Sequence, residues 1–565
     1  MAVLCGGCTA KYYRTSADKE VYRIIENKTE AVEGMPAEFT IESPPRPTFA
    51  QKGTTLTLTL QEALGMAALH SREYQSRKEQ LYIQALSLTL ARWDFAPIFS
   101  VVMEGEWAYE GERDNPLYVP PVLDDEGNVV EKAKGSPTTT IHTATGTFNL
   151  GVRKALLTGG DVSVQMVTRL FRITSLPDPS PSATSVITAA ITQPLLRGFG
   201  PRVALEPLTQ AERDMIYAMR DFVRFRRTFL VRVAKDYFAI LRTRNELMNT
   251  RNNYLNLVAL RERAQFLSEA GQMPEFQVDQ AKQDELRAYA NLIRAQERYE
   301  NSLDEFKITL GIPTDVTLVL DYGDMERLAS QPVETPQISE EQAIAVALAR
   351  RLDLRTTINR VDDADRRLYV ARNALLPRLD VSAQYQIENV DSRRPLKFES
   401  YENDRTTLGA SLELPLDRKS ERNAYRRAII EFQAARRNLD ERIDRIKQDV
   451  RNALRALQQA EQSYQIQRNS LLLAERRVES LALLQEAGQA STRDVLEARE
   501  ALLEAQNAVT GALVDHYNAR LDLNLAMETL DIAEEGFVLA LPRPAVQDQV
   551  TDAAAARREK RGEGS

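Results

Sequence analysis

Cysteine is confined to Cys5 and Cys8, and histidine to His70, His142 and His516, in a chain of 565 residues. The body therefore has no disulfide framework and no thiol nucleophile. Three histidines so far apart in sequence give no ligand spacing for a metal. No run of about eighteen uncharged apolar residues occurs, which excludes a membrane-spanning helix. If the chain crosses a bilayer, it does so as a β-barrel. An excess of basic charge is lacking too: the formal net charge is -8, the pI is near 5.4, and Arg is interleaved with Glu and Asp. A nucleic-acid partner, which needs a concentrated basic patch, is thereby excluded. No nucleophile stands with a base, no Gly-rich loop is set to cradle a phosphate, and no cofactor motif appears, so nothing points to an enzyme.

Glycine and proline are also missing, over two long stretches: from Leu208 to Ala270 and from Leu416 to Ala487, runs of 63 and 72 residues. Ordinary helices are far shorter, and at 1.5 Å per residue these would reach about 95 to 110 Å. Ile443, Ile446, Val450, Ala453, Leu457, Ala460 and Tyr464 repeat at the 3,4 spacing of a coiled coil. The spacing returns from Val495 through Ala498, Leu502, Ala505, Val509 and Ala512 to Leu530, with Ala at alternate seam positions.

What is present is a duplication. Leu58-Thr-Leu-Gln-Glu-Ala-Leu64 is echoed by Ile338-Ser-Glu-Glu-Gln-Ala-Ile344 at a shift of 280. Gln193-Pro-Leu195 is echoed by Leu414-Pro-Leu416 at 221, and Phe266-Leu-Ser-Glu-Ala-Gly-Gln272 by Leu483-Leu-Gln-Glu-Ala-Gly-Gln489 at 217. The first half thus carries 59 extra residues ahead of its proline marker, in strand-like sequence. Each half reads as helix, strands, very long helix, tight turn and returning helix.

Strands are predicted at Pro97–Tyr109, Thr143–Ala155, Asp161–Ile173 and Ser185–Gln193 in the first half, with Leu156-Leu-Thr-Gly-Gly160 as a hairpin turn. In the second half they fall near Leu379–Glu388 and Thr407–Leu414. Leu379, Val381, Ala383, Tyr385 and Ile387 alternate with polar neighbours, so one face is apolar and the other wet. Such a sheet covers either a soluble core or the wall of a water-filled barrel in lipid.

The order of these signals resembles the TolC family of outer-membrane efflux and secretion ducts over nearly the whole chain. The residues that carry it are Thr192-Gln-Pro-Leu-Leu-Arg-Gly198, Leu412-Glu-Leu-Pro-Leu416, Glu269-Ala-Gly-Gln272, Glu486-Ala-Gly-Gln489, Asn373-Ala-Leu-Leu-Pro-Arg378 and Arg493-Asp-Val-Leu-Glu-Ala498. The resemblance implies a mixed α and β fold in which very long helical hairpins form a periplasmic α-barrel, and strands join a trimeric transmembrane β-barrel. It implies a homotrimer in outer-membrane lipid of a Gram-negative-type bacterium, reaching into the periplasm and serving a periplasmic adaptor and an inner-membrane transporter. A coiled-coil periplasmic scaffold without a channel is the alternative.

The expected organisation is a lipoprotein-like segment and extended periplasmic arm over 1–58, a first repeat over 59–330, a second over 331–532 and a disordered tail over 533–565. Strands are expected about 97–193 and 377–414, and long hairpins about 208–311 and 417–531. The family has four strands per subunit; the insertion makes six conceivable, and four or six in a trimer would both close an even-numbered barrel. Pro194 and Pro415 mark strand-to-helix transitions. Gly271 and Gln272, with Gly488 and Gln489, mark turns for adaptor docking. Asp494 and Glu497, with Arg493 nearby, are expected to form a charge ring at the periplasmic aperture; favouring a helix N-terminus through its dipole is their competing role. Cys8 follows small Gly7 as a lipidation site would, although Cys5 stands where such signals prefer an aliphatic residue.

Overall fold

The computed structural model describes residues 9–538 apart from 37, 43–54, 115–117, 128, 135–137, 174–181, 331–332, 334–337, 390–393, 395, 399–403, 488 and 534–535. The chain divides into two units, one of residues 1–85, 215–359 and 437–565, the other of residues 86–214 and 360–436.

The duplication is visible at the level of single residues. In the first half α2 spans Leu60–His70 and α3 spans Arg72–Trp93; after α4 (Glu206–Glu269) comes α5 (Glu275–Leu310). In the second half α6 is Glu340–Arg350, α7 Leu352–Asn373, α8 Lys419–Glu486 and α9 Thr492–Met527. The opening helices, expected as one in each half, are broken at Ser71 and at Arg351, where the backbone turns extended. Both breaks and all four ends match at the shift of 280. Matching capping boxes start each pair: Thr59 with Glu62, and Ser339 with Gln342, a reciprocal arrangement that satisfies two helix-start N–H groups.

Seam residues predicted from the 3,4 spacing are buried in the first unit at Ile446, Val450, Ala453 and Leu457 and partly buried at Ile443, Ala460 and Tyr464. Ile446, Val450 and Leu457 of α8 pack with Leu523 and Met527 of α9 and with Ala343, Val346 and Ala347 of α6. Residues Ala10–Thr29, expected as part of an extended arm, form a helix instead, α1. Its Val21, Ile24 and Ile25 are buried, a spacing of three and four that only a helix puts on one face, and Asp18 accepts a 2.6 Å hydrogen bond from the Tyr82 hydroxyl.

The second unit holds one sheet of six strands: β1 (Ile98–Asp114), β2 (Thr138–Ala155), β3 (Asp161–Ile173), β4 (Ser182–Pro194), β5 (Arg378–Glu388) and β6 (Asp404–Glu413). They lie in chain order, every neighbouring pair antiparallel. By the repeat shifts, β1 corresponds to β5 and β4 to β6, so β2 and β3 are the inserted hairpin. β1 and β2 run farther than expected, through a bulge at Glu110–Glu112 paired with a run of threonines; those segments lack the apolar alternation by which the rest was predicted. Of the tail over 533–565, expected to be disordered, Gly536–Val538 instead forms a short strand antiparallel to Asp531–Ala533, and the residues after 538 lie outside the described ones.

Candidate functional site

Register decides what each face of the sheet carries. On one face Phe99, Val101 and Met103 of β1 lie opposite Val152, Leu150 and Phe148 of β2. The row through Leu150 continues as Met166, Ile187 and Ile387. On the other face Ser100 leads through Gly151, Gln165, Thr188 and Gln386 to Arg405. The apolar face is bare: Phe99 is 76% exposed, Met103 64% and Leu408 78%. An apolar sheet face of this extent needs a cover, and a hydrocarbon surround with water on the polar side supplies one. Among the described residues β1 and β6 each pair on one side only.

The helix-side end of the sheet is fastened by side chains. The turn between β2 and β3 docks beside Pro194: Gly200 N–H donates to the Thr158 carbonyl at 2.9 Å, and the Thr158 hydroxyl donates to Gln193 Oε1 at 2.6 Å. Here Gly159 (φ +94°) lies so close that a Cβ on it would stand 2.2 Å from the Gly198 carbonyl oxygen, and one on Gly160 2.4 Å from that of Thr192. Pro194 ends β4 opposite Asp380, and just beyond it Asn373 Oδ1 accepts from Gly198 N–H at 2.8 Å. At the matching place in the second half, Arg418 donates to the carbonyls of Pro415 at 3.2 Å and Leu375 at 2.6 Å. The prolines were legible as markers. Asn373, Gln193 and Arg418 were not picked out as fasteners, since lone polar residues beside a proline have no pattern of their own.

In the first unit the two hairpin turns close with the same backbone hydrogen bond. Gln272 N–H donates to the Leu267 carbonyl and Gln489 N–H to that of Leu484, each at 2.8 Å, the six-to-one bond of a Schellman motif. Gly271 is left-handed (φ +70°) with open space around it. Gly488 lies outside the described residues. Gln272 and Gln489 are both exposed. The turns stand together: Thr492 donates to Gln277 Oε1 at 3.3 Å, and Leu496 packs with Leu257, Leu260 and Ala288 of the first hairpin.

Asp494 has a local partner. Its Oδ2 accepts from the Ser491 backbone N–H at 2.9 Å and the Ser491 hydroxyl at 2.6 Å, closing a capping box. Those bonds hold its carboxyl below the usual range, the hydroxyl contributing most. Arg493 pairs with Glu497 at 3.0 Å. The first half starts the equivalent helix with Pro274 and no side-chain cap, so Gln277 at the matching position has no such task. Cys8 lies outside the described residues.

Among the described residues no group of histidines, cysteines and carboxylates could hold a metal, and no helix is long and apolar enough to cross a membrane. The chain resembles several solved structures. With the Campylobacter jejuni CmeC outer membrane channel it shares 14% identity over 87% of this chain and 88% of that one, with a TM-score of 0.59. With the outer membrane protein VceC of Vibrio cholerae the figures are 14%, 83%, 95% and 0.58, and with the Neisseria gonorrhoeae MtrE outer membrane channel in its open state 15%, 83%, 88% and 0.52. Such identities carry the fold alone. No curated protein matches by sequence. Residues 343–528, from α6 through the end of α9, match the model of a family described as outer membrane efflux protein. The match to the outer membrane efflux protein family thus lies in the second repeat, and the chain over most of its length has the fold of solved outer-membrane channels.

Proposed function

We propose that this protein is one of three identical subunits of a passive export duct, which carries cargo through the periplasm and outer membrane from an inner-membrane transporter by way of a periplasmic adaptor. The observation that carries the reading is the six-stranded sheet, apolar on one face, polar on the other and, among the described residues, unpaired at both edges. In hydrocarbon each unpaired backbone group costs several kcal/mol. One copy cannot close a barrel, so copies must supply the missing edges. The purified protein is expected to migrate differently in detergent gels before and after heating and to give ion conductance in planar bilayers. A sample with neither property would be a coiled-coil scaffold instead.

The paired turns at Gln272 and Gln489 are the adaptor-docking surface in this reading, supported by their shared closing hydrogen bond and exposure. Gln272→Arg with Gln489→Arg should abolish efflux in cells while the trimer persists; normal efflux would count against docking there. Asp494 and Glu497 from three copies would ring the periplasmic aperture and favour cations. Cys8 would add a lipid tether, detectable as an acylated N-terminus by mass spectrometry of the mature protein; an unmodified Cys8 would remove it.

A further inference from the structure

We propose that β1 of one copy and β6 of the next form the closing seam of an eighteen-stranded barrel, with Glu106 set opposite Arg405 across that seam. The inference rests on the trimeric reading above and adds its strand count, joint and register. Following hydrogen-bonded neighbours across the sheet, Ile98 on β1 leads through Arg153, Ser163, Ala190 and Gln384 to Thr407 on β6. Thr407 stands six residues short of Glu413, the end of β6. If the helix-side ends of the two edge strands meet flush, Ile98 of one copy faces Glu413 of the next, and each copy contributes a stagger of six residues.

Three copies then give eighteen strands with a total stagger equal to the strand number, a ratio that corresponds to a tilt of about 36°. Outer-membrane barrels tilt by about 35–45°. A slip by one residue would turn the polar face of one copy onto the apolar face of the next, so only slips of two compete. One of these lowers the tilt to about 26°, by the same ratio, outside the range. The other raises it to about 44° but sets Arg405 against Ala108. In the flush register Arg405 meets Glu106, both on the polar face, and opposite charges directly across a strand pair are favourable where like charges are not.

The consequence is width. Barrel diameter grows about linearly with strand number, so eighteen strands enclose a bore about 1.5 times that of a twelve-stranded barrel at the same tilt. With strands about 4.8 Å apart, the backbone-to-backbone diameter is on the order of 34 Å.

The seam is tested by paired cysteines, since Cys5 and Cys8 are the only native ones and the parent chain serves as control. Glu106→Cys with Arg405→Cys should give, on mild oxidation, a covalent ladder that closes at three copies in non-reducing denaturing gels. Linking by Glu104→Cys with Arg405→Cys, or by Ala108→Cys with Arg405→Cys, in its place would overturn the register. A native mass of three copies with no link at any of these pairs would overturn the seam while leaving the trimer. A native mass other than three would overturn the trimeric reading itself. Where cysteine variants fail to assemble, charge exchange serves: Glu106→Arg or Arg405→Glu alone should lower the trimer's melting temperature, and the two together should restore it. Failure of the double exchange to restore it would speak against the pair.

Discussion

Glu528 is the single non-glycine residue with left-handed backbone among those described, at φ 57°. It caps α9 at the position where Gly311 caps α5, 217 residues earlier. Gly311 lies against the His70 carbonyl, where a Cβ would approach to 2.1 Å. Glu528 uses its side chain in the equivalent place: it accepts from Leu352 N–H at 2.7 Å and pairs with Arg227 at 3.2 Å, at 5% exposure. Left-handed backbone costs about 1–2 kcal/mol, whereas stranding a buried charge costs about 3–5 kcal/mol. Glu528→Gly should therefore lower stability by roughly 2 kcal/mol even though it relieves strain, seen as a lower melting temperature; an unchanged or raised value would contradict the balance. Nearby Asp353 takes Arg224, Arg351 and Arg442 together. Asp494 calls for a different experiment. Its lowered folded pKa means that the cap's contribution is present above the unfolded value, near pH 4, and is lost only as pH falls through the folded one. Cation preference that depends on Asp494 should thus stay flat from neutrality to about pH 4. Asp494→Asn keeps an oxygen for the cap and removes the charge, so it should reduce cation preference, read as reversal potential in a salt gradient. Unchanged preference would leave Asp494 with capping alone.

At the scale of elements, the inserted β2–β3 hairpin is held by its turn. Gly159 and Gly271 both have positive φ, so alanine strains either one, but only Gly159 meets backbone where a Cβ would go. Gly159→Ala should prevent the turn from seating against Gly198 and sharply reduce the yield of heat-modifiable trimer. Gly271→Ala should cost about 1–2 kcal/mol and stay local. Equal yields for the two variants would show that the turn is dispensable. Elements were legible in the sequence wherever a period ran long enough: the coiled-coil seam through Ile446 and Leu523, and the alternation from Leu379 to Ile387. The exact shifts of the repeat located the insertion. What escaped was carried by single contacts or by short patterns. α1 was missed because Val21, Ile24 and Ile25 make only one turn of a pattern, the breaks at Ser71 and Arg351 contain no Gly or Pro, and the capping box at Ser491 and Asp494 was weighed only as a dipole effect. Adaptor docking and the aperture ring depend on contacts that one copy does not contain.

For the whole molecule, the insertion is a unit that can be removed. Deleting residues 115–173 takes out the 59 extra residues and brings the first half to the plan of the second, in which β5 pairs directly with β6. The expected product is a trimer with twelve strands and about two-thirds of the original bore. Electron-microscopy end views would measure it, and an undiminished diameter would mean that β2 and β3 do not line the wall.

The joint between β4 and β5 pairs residues far apart in the chain, from Pro194 with Asp380 to Val186 with Glu388. Local hairpins close within microseconds, while non-local pairing waits on loop-closure entropy. The first four strands can therefore meet as a meander long before the last two arrive. During that interval a broad apolar face and an open edge have no partner, the condition under which chains aggregate. Any seam between copies must form later still, in a step whose rate rises with concentration. Scarce subunits would accordingly stall as folded but unclosed intermediates, and the yield of finished ducts would fall more steeply than the supply of chains.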